Sequence, residues 1–291
     1  MANLKEIRAR ITSINSTRQI TSAMKMVSAA KLRRAQDAIT RMRPYAGKLQ
    51  EILGNLSSTL DVSENIYAQQ REVKNLLIIA VNSNRGLCGA FNNNVIKEVK
   101  NLIKENPGAN VKVLSIGKKA FDTFKKTSHM PGSGYPSEPF RIYENLNFEE
   151  SALISNAVMQ KFGEGKIDKV YLVYNSFKNA AVQNLTVEQF LPIIPVVAES
   201  DTTQSDYIFE PNKEDIVTEL IPKSLKIQLY KAILDSNAAE HGARMTAMHK
   251  ATDNATDLVK ELKLTYNKAR QASITNEILE IVAGAEALSG K

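Results

Sequence analysis

Two long helical patterns, one at each end of the chain, constrain its fold more than any other feature. From Lys223 to the end there is no proline. Met245, Met248, Thr252, Ala255, Val259, Leu262, Tyr266 and Ala269 keep the three–four spacing of a single helix face. Asn212 suits a helix cap, with Glu214 and Asp215 in the first turn, and Pro222 allows a break or restart. At the other end the pattern runs from about Asn3, a candidate cap with Glu6 three residues later, to Leu60. Leu4, Ile7, Ile11 and Ile14 form a heptad seam. Continued in register, that seam falls on positions 21, 25 and 28, yet the apolar residues are Ile20, Met24 and Val27. A slip of one residue is expected there, as where a helix changes the partner it packs on. Pro44, the first proline, is expected to bend the helix without ending it. At a rise of 1.5 Å per residue the two helices would reach roughly 85 Å and 100 Å. Neither can bury its stripe alone. The economical solution is an antiparallel coiled coil of the two chain ends, with the middle folded compactly beside it.

The stretch Ser273–Leu288 carries this further. Ile274, Ile278, Ile281, Ala285 and Leu288 follow at spacings of four, three, four and three, and Leu279, Val282 and Ala283 spread apolarity to the other faces. Chain ends are normally polar and frayed. A helix that is apolar on most sides needs cover on most sides, so this end is expected to insert into a partner, the alternative being a terminal helix docked on the chain's own core.

The middle, about Val73 to Ser200, alternates strand and helix patterns. N-L-L-I-I-A-V (Asn75–Val81), V-K-V-L-S-I-G (Val111–Gly117) and K-V-Y-L-V-Y-N-S-F (Lys169–Phe177) read as strands. The segments after Asn92, up to Phe124 and from Glu149 to Phe162 read as helices, and 128–140 as a loop. This is a small Rossmann-like α/β domain with a largely parallel sheet. The chain thus divides into 1–60, 73–200 and 211–291, the two ends helical and the middle α/β.

One turn, Ser83-Asn84-Arg85-Gly86-Leu87-Cys88-Gly89, stands between the first strand and a helix, where a phosphate loop would sit. It lacks both G-x-G-x-x-G and G-K-[ST], no acidic residue ends the next strand, and Cys88 has no base nearby in sequence. A tight strand-to-helix turn accounts for the glycines. Cys88 is the single cysteine, so neither a disulfide nor a cysteine zinc site can form within the chain, which fits a reducing compartment. His129, His241 and His249 lack metal spacing, no run of eighteen apolar residues is present, and the first residues carry no signal-peptide core.

The net charge of +7 is concentrated at the N-terminus. Residues 1–60 hold 11 Lys/Arg against 3 Asp/Glu, residues 211–291 hold 11 against 11, and the middle holds 16 against 17. Such a patch suits nucleic acid, an anionic membrane surface or an acidic protein. Lys31–Arg43 has no interleaved aromatic of the kind that stacks bases, which counts against nucleic acid, and a solvated helix face is the plain alternative. A basic coiled-coil nucleic-acid binder and a nucleotide-dependent enzyme are the alternatives, and both lack their motifs.

The residues also resemble a known family, the gamma subunit of F-type ATP synthase, over nearly the whole length. The resemblance rests on K-E-I-R-x-R-I and R-Q-I-T-S-A-M-K-M-V-S-A-A-K, on R-P-Y at Arg43–Tyr45, on N-R-G-L-C-G at Asn84–Gly89, and on A-A-E-H-G-A-R-M-T-A-M-H-K-A-T-D-N-A at Ala238–Ala255. It ends on I-T-x-E-x-x-[DE]-x-x-x-G-A, met by Ile274, Thr275, Glu277, Glu280, Gly284 and Ala285.

The resemblance implies a rotor shaft that transmits torque between a membrane c-ring and a hexamer of alpha and beta subunits, with no cofactor, no metal and no chemistry of its own. It implies that Ile274, Ile278, Ile281, Val282, Ala285 and Leu288 turn in an apolar sleeve. Arg270, Gln271 and Thr275 match positions that bond to beta, and Met24 and Arg244 match positions facing its acidic lever segment, a role Lys31 and Arg33 suit by charge. Tyr207, Ile208, Phe209 and Glu210 match the foot segment that meets the c-ring and the epsilon subunit. It further implies a peripheral place on the cytoplasmic side of a bacterial inner membrane, with no nucleic-acid partner and no membrane span. The dithiol insert of the chloroplast version is missing from the sequence.

Overall fold

The computed structural model describes residues 4–57, 66–193 and 213–290, of which 50–57, 213–218 and 289 in their backbone only. The chain forms two compact units, Met1–Val27 with Met245–Lys291, and Ser28–Arg244. Helix α1 spans Leu4–Ser57 and α5 spans Lys213–Ser289, and each contributes to both units. Pro44 lies within α1, which continues past it, and Pro222 lies within α5, which does not break there. Asn3 and Asn212 fall outside the described residues.

In the larger unit, strands β1 (Asn75–Val81), β2 (Asn110–Ile116), β3 (Lys169–Phe177) and β4 (Gln183–Leu191) form one sheet in the order β2-β1-β3-β4. β1 is parallel to both neighbours, with Ile78 opposite Val113 on one side and Tyr171 on the other. The run of apolar residues in β1 is explained by cover on both faces. Leu76, Ile78 and Ala80 pack against Val95, Val99 and Leu102 of α2 (Phe91–Glu105) and Ala120 and Phe124 of α3 (Lys118–Phe124). Leu77, Ile79 and Val81 join a second core with α4 (Phe148–Gly163) and with Leu225, Leu229 and Ile233 of α5. Asn147 caps α4 by accepting from the Glu150 amide at 2.9 Å, which satisfies one of the free donors of the first turn.

The fourth strand departs from the expected three. β4 is antiparallel to β3 and forms a sheet edge. Its Leu185 and Val187 remain 38% exposed, so the buried apolar run that marks the other strands is missing. The turn into it is built by Asn179, whose side-chain oxygen accepts from the Ala181 and Val182 amides at 3.0 and 2.8 Å. Gly117, between β2 and α3, has φ 133°, and a Cβ there would overlap the Asn82 carbonyl. Only glycine suits that approach.

In the smaller unit, α1 and α5 pair antiparallel. Lys25 Nζ lies 3.3 Å from His249 Nδ1, and Thr21 Oγ1 lies 2.8 Å from Thr252 Oγ1. Further along, Arg10, Ser13 and Ile14 face Leu258, Glu261, Leu262 and Thr265 across a groove. Falling numbers on α1 meet rising numbers on α5. The α5 seam holds as expected, with Met248, Ala255 and Val259 buried. The slip expected on α1 does not occur. Thr21 is buried, as is Ser28, the first residue of α1 in the larger unit, whereas Ile20 and Val27 are 60% and 57% exposed. The heptad continues through small polar residues, because a hydroxyl that bonds its own helix or the facing one can occupy a seam position.

Candidate functional site

Two features stand out, one in each unit. In the smaller unit the seam residues of α5 are covered as far as Tyr266, Ala269 and Ser273, all half-buried. Beyond them the helix is bare among the described residues. Ile274, Ile278, Leu279, Ile281, Val282 and Leu288 are 48–92% exposed, and Ala285 is exposed as well. Among the described residues α1 begins at Leu4, and none of them covers these last turns. Covering one such side chain fully would contribute about 1.5–3 kcal/mol. Arg270, Gln271 and Thr275 stand exposed at the base of this segment, and their side chains make no hydrogen bond or ion pair among the described residues. On α1, Ile20 and Val27 share one exposed face beside the half-buried Met24, and Met26 is exposed on another side of the helix.

In the larger unit the turn from Ser83 to Gly89 is closed by the chain itself. Ser83 Oγ donates to the Arg85 carbonyl at 2.6 Å, and Asn92 Oδ1 accepts from the Ser83 amide at 3.0 Å. Asn84 accepts from the Lys118 amide at 2.9 Å and donates to the Phe140 carbonyl at 3.0 Å. Leu87 adopts φ 63° and is 66% exposed, a conformation that costs a non-glycine residue energy.

Arg244 braces this turn from α5. Its guanidinium donates to the Gly86 carbonyl, to the Arg85 carbonyl at 3.4 Å, and to Glu240 Oε1 at 2.5 Å. Arg244 and Glu240 are 7% and 8% exposed. Burial pushes the Glu240 carboxyl up, and the Arg244 bond holds it back. Cys88 is buried, and burial pushes its thiol up, away from the thiolate a nucleophile requires. His241 is pushed down to about 4 by burial and then by Lys31 and Arg244, so its ring is neutral near pH 7.

Of the residues singled out in the sequence, Lys31 and Arg33 are exposed on α1. Arg244 is not free at the surface, because its donors are engaged inside the chain. Tyr207, Ile208, Phe209 and Glu210 lie outside the described residues. Sequence reasoning missed Glu240 as the partner of Arg244, although the spacing E-x-x-x-R puts the two on one helix face. It also missed the Thr21–Thr252 pair.

A coiled coil of the chain's own two ends, a bare apolar helix end, and an α/β unit whose strand-to-helix turn is filled by an arginine define a coiled-coil and α/β protein with an exposed apolar end. The family model "ATP synthase" matches residues 3–288. The chain is 62% identical over 291 residues to the ATP synthase gamma chain of Flavobacterium johnsoniae, covering all of both chains. It is 47% identical to that of Chlorobium phaeobacteroides, again over all of both. In fold it is similar to a chain of the Euglena gracilis mitochondrial ATP synthase, with TM-score 0.65, 21% identity, and 98% of this chain and 94% of that one covered. A chain of the Tetrahymena thermophila mitochondrial central stalk and c-ring gives TM-score 0.57 at 25% identity, over 80% of this chain and 99% of that one. The chain therefore belongs to the gamma-subunit family of F-type ATP synthase, the central-stalk rotor subunit. No helix among the described residues is long and apolar enough to cross a membrane.

Proposed function

We propose that this chain works as a shaft that performs no chemistry itself and transmits torque between a membrane c-ring and the catalytic alpha and beta subunits. The observation that carries the reading is the uncovered apolar end of α5, with Ile281 71% and Leu288 92% exposed. A directionless apolar surface suits a bearing, since it can slide within an apolar sleeve without breaking specific bonds. Arg270, Gln271 and Thr275 supply the directional contacts to beta just below it. Met24, Lys31 and Arg33 face its acidic segment, while Arg244 acts indirectly, through the turn it holds. The foot contacts with the c-ring and epsilon fall to Tyr207–Glu210, and the assembly sits peripherally on the cytoplasmic side of the membrane.

Two disulfide clamps test this. Met24→Cys joined to a cysteine on the beta lever ties rotor to stator, and turnover should stop and return on reduction. Tyr207→Cys joined to a cysteine on the c-ring loop ties rotor to rotor, and ion-driven synthesis should survive. Undiminished ATP synthesis with the Met24 clamp closed would overturn the rotor reading. The buried Cys88 does not compete in either reaction.

A further inference from the structure

We propose that the Thr21–Thr252 hydroxyl pair is a rotational lock: it selects which face of α1 meets α5 and so keeps Ile20 and Val27 outside the coiled coil. α1 carries two competing seams. Ile7 and Ile14 belong to the one that is used, and Ile20, Met24 and Val27 to one offset by a single residue. Exchanging them needs a roll of about 100°, the angle per residue at 3.6 residues per turn. By apolar content alone, the offset seam is the better one at this level of the helix. Positions 21 and 28 are Thr and Ser, but both are buried, at 8% and 2% exposure.

The hydroxyl chemistry explains the choice. Thr21 Oγ1 lies 2.8 Å from Thr252 Oγ1. Thr21 Oγ1 is also 3.0 Å from the Arg18 carbonyl, and Thr252 Oγ1 is 2.8 Å from the Met248 carbonyl. Each hydroxyl has one proton, so one donates across the seam while the other donates back along its own helix. Rolling α1 would break the crossing bond and replace Thr21 with the larger Ile20 against Thr252. A polar pair that fixes helix alignment at some expense of stability is an established use of buried polar groups in coiled coils. The lock concerns the chain alone and does not depend on what covers Ile20 and Val27.

The test uses the full chain with spin labels at Gln19→Cys and Asn254→Cys, both exposed sites, and separately the thiol-labelling rate of Ile20→Cys. The parent should give one narrow distance and fast labelling. Thr21→Val with Thr252→Val removes only the hydroxyls, and the rolled fraction should rise about ten-fold, the effect of losing one hydrogen bond. A second distance and slower Ile20→Cys labelling report it. Thr21→Ser with Thr252→Ser keeps the hydroxyls and should keep the single distance. A folded double-valine chain with unchanged distance and labelling overturns the lock. So does a double-serine chain that shows the second distance.

Discussion

Arg244→Leu separates two roles for the same residue, a brace inside the chain and a direct contact with a partner. The guanidinium binds the Gly86 and Arg85 carbonyls and Glu240, and both members of the ion pair are nearly inaccessible to water. Truncating one member of a buried pair leaves the other uncompensated, typically at about 3–5 kcal/mol. Here the carboxyl has an escape. Burial already raises its pKa, and Arg244 is the first group opposing that rise. Without the arginine, Glu240 can take a proton rather than remain charged, which favours the lower end, about 3 kcal/mol near pH 7.

That escape gives the prediction a pH signature. Protonation is easier at low pH, so the loss caused by Arg244→Leu should shrink between pH 7 and pH 5. Adding Glu240→Gln should recover part of it, because the two residues act as one unit. The assay is urea denaturation of the purified chain followed by circular dichroism, with amide exchange across residues 85–89 reporting the freed turn. A loss below about 0.5 kcal/mol, the size of an ordinary surface change, would refute the brace. A defect confined to the assembled complex would then assign Arg244 to the partner.

Two further outcomes follow from exposure and from titration. Ile278→Asp with Ile281→Asp should leave the thermal midpoint of the isolated chain unchanged, since both side chains are more than half exposed, yet weaken co-purification with the alpha and beta subunits; a lowered midpoint would mean that α5 ends against its own chain. His241 has a folded pKa depressed to about 4, so the unfolded chain binds the proton first. Its contribution is complete above the unfolded value of about 6.5 and is lost as pH falls toward 4. With a discount for its partial exposure, His241→Gln should remove about 2 kcal/mol of acid sensitivity in that window, and unfolding curves at pH 7 and pH 4.5 that shift equally in both chains would contradict it.

What the sequence discloses depends on whether a residue's reason lies in its own neighbourhood. β1 is legible because cover on both faces demands an unbroken apolar run, and Leu76 to Val81 supply one. The bare end of α5 is legible because its apolar repeat continues past the turns that the described residues cover. β4 was not legible, since an edge strand keeps Leu185 and Val187 half in water and its pattern fades toward that of a loop. The α1 seam misled for a related reason. Periodicity counts carbon, and at Thr21 the structure pairs oxygen with a residue 231 positions away. The same limit applies to Arg244. A sequence pattern marks it as charged and therefore outward, but the carbonyls of a turn 158 residues away can turn such a charge inward. In a chain whose two ends meet, the polar contacts that set alignment are long-range by construction. The apolar surface left over is then what the pairing leaves uncovered, and among the described residues its densest run is at the end of α5.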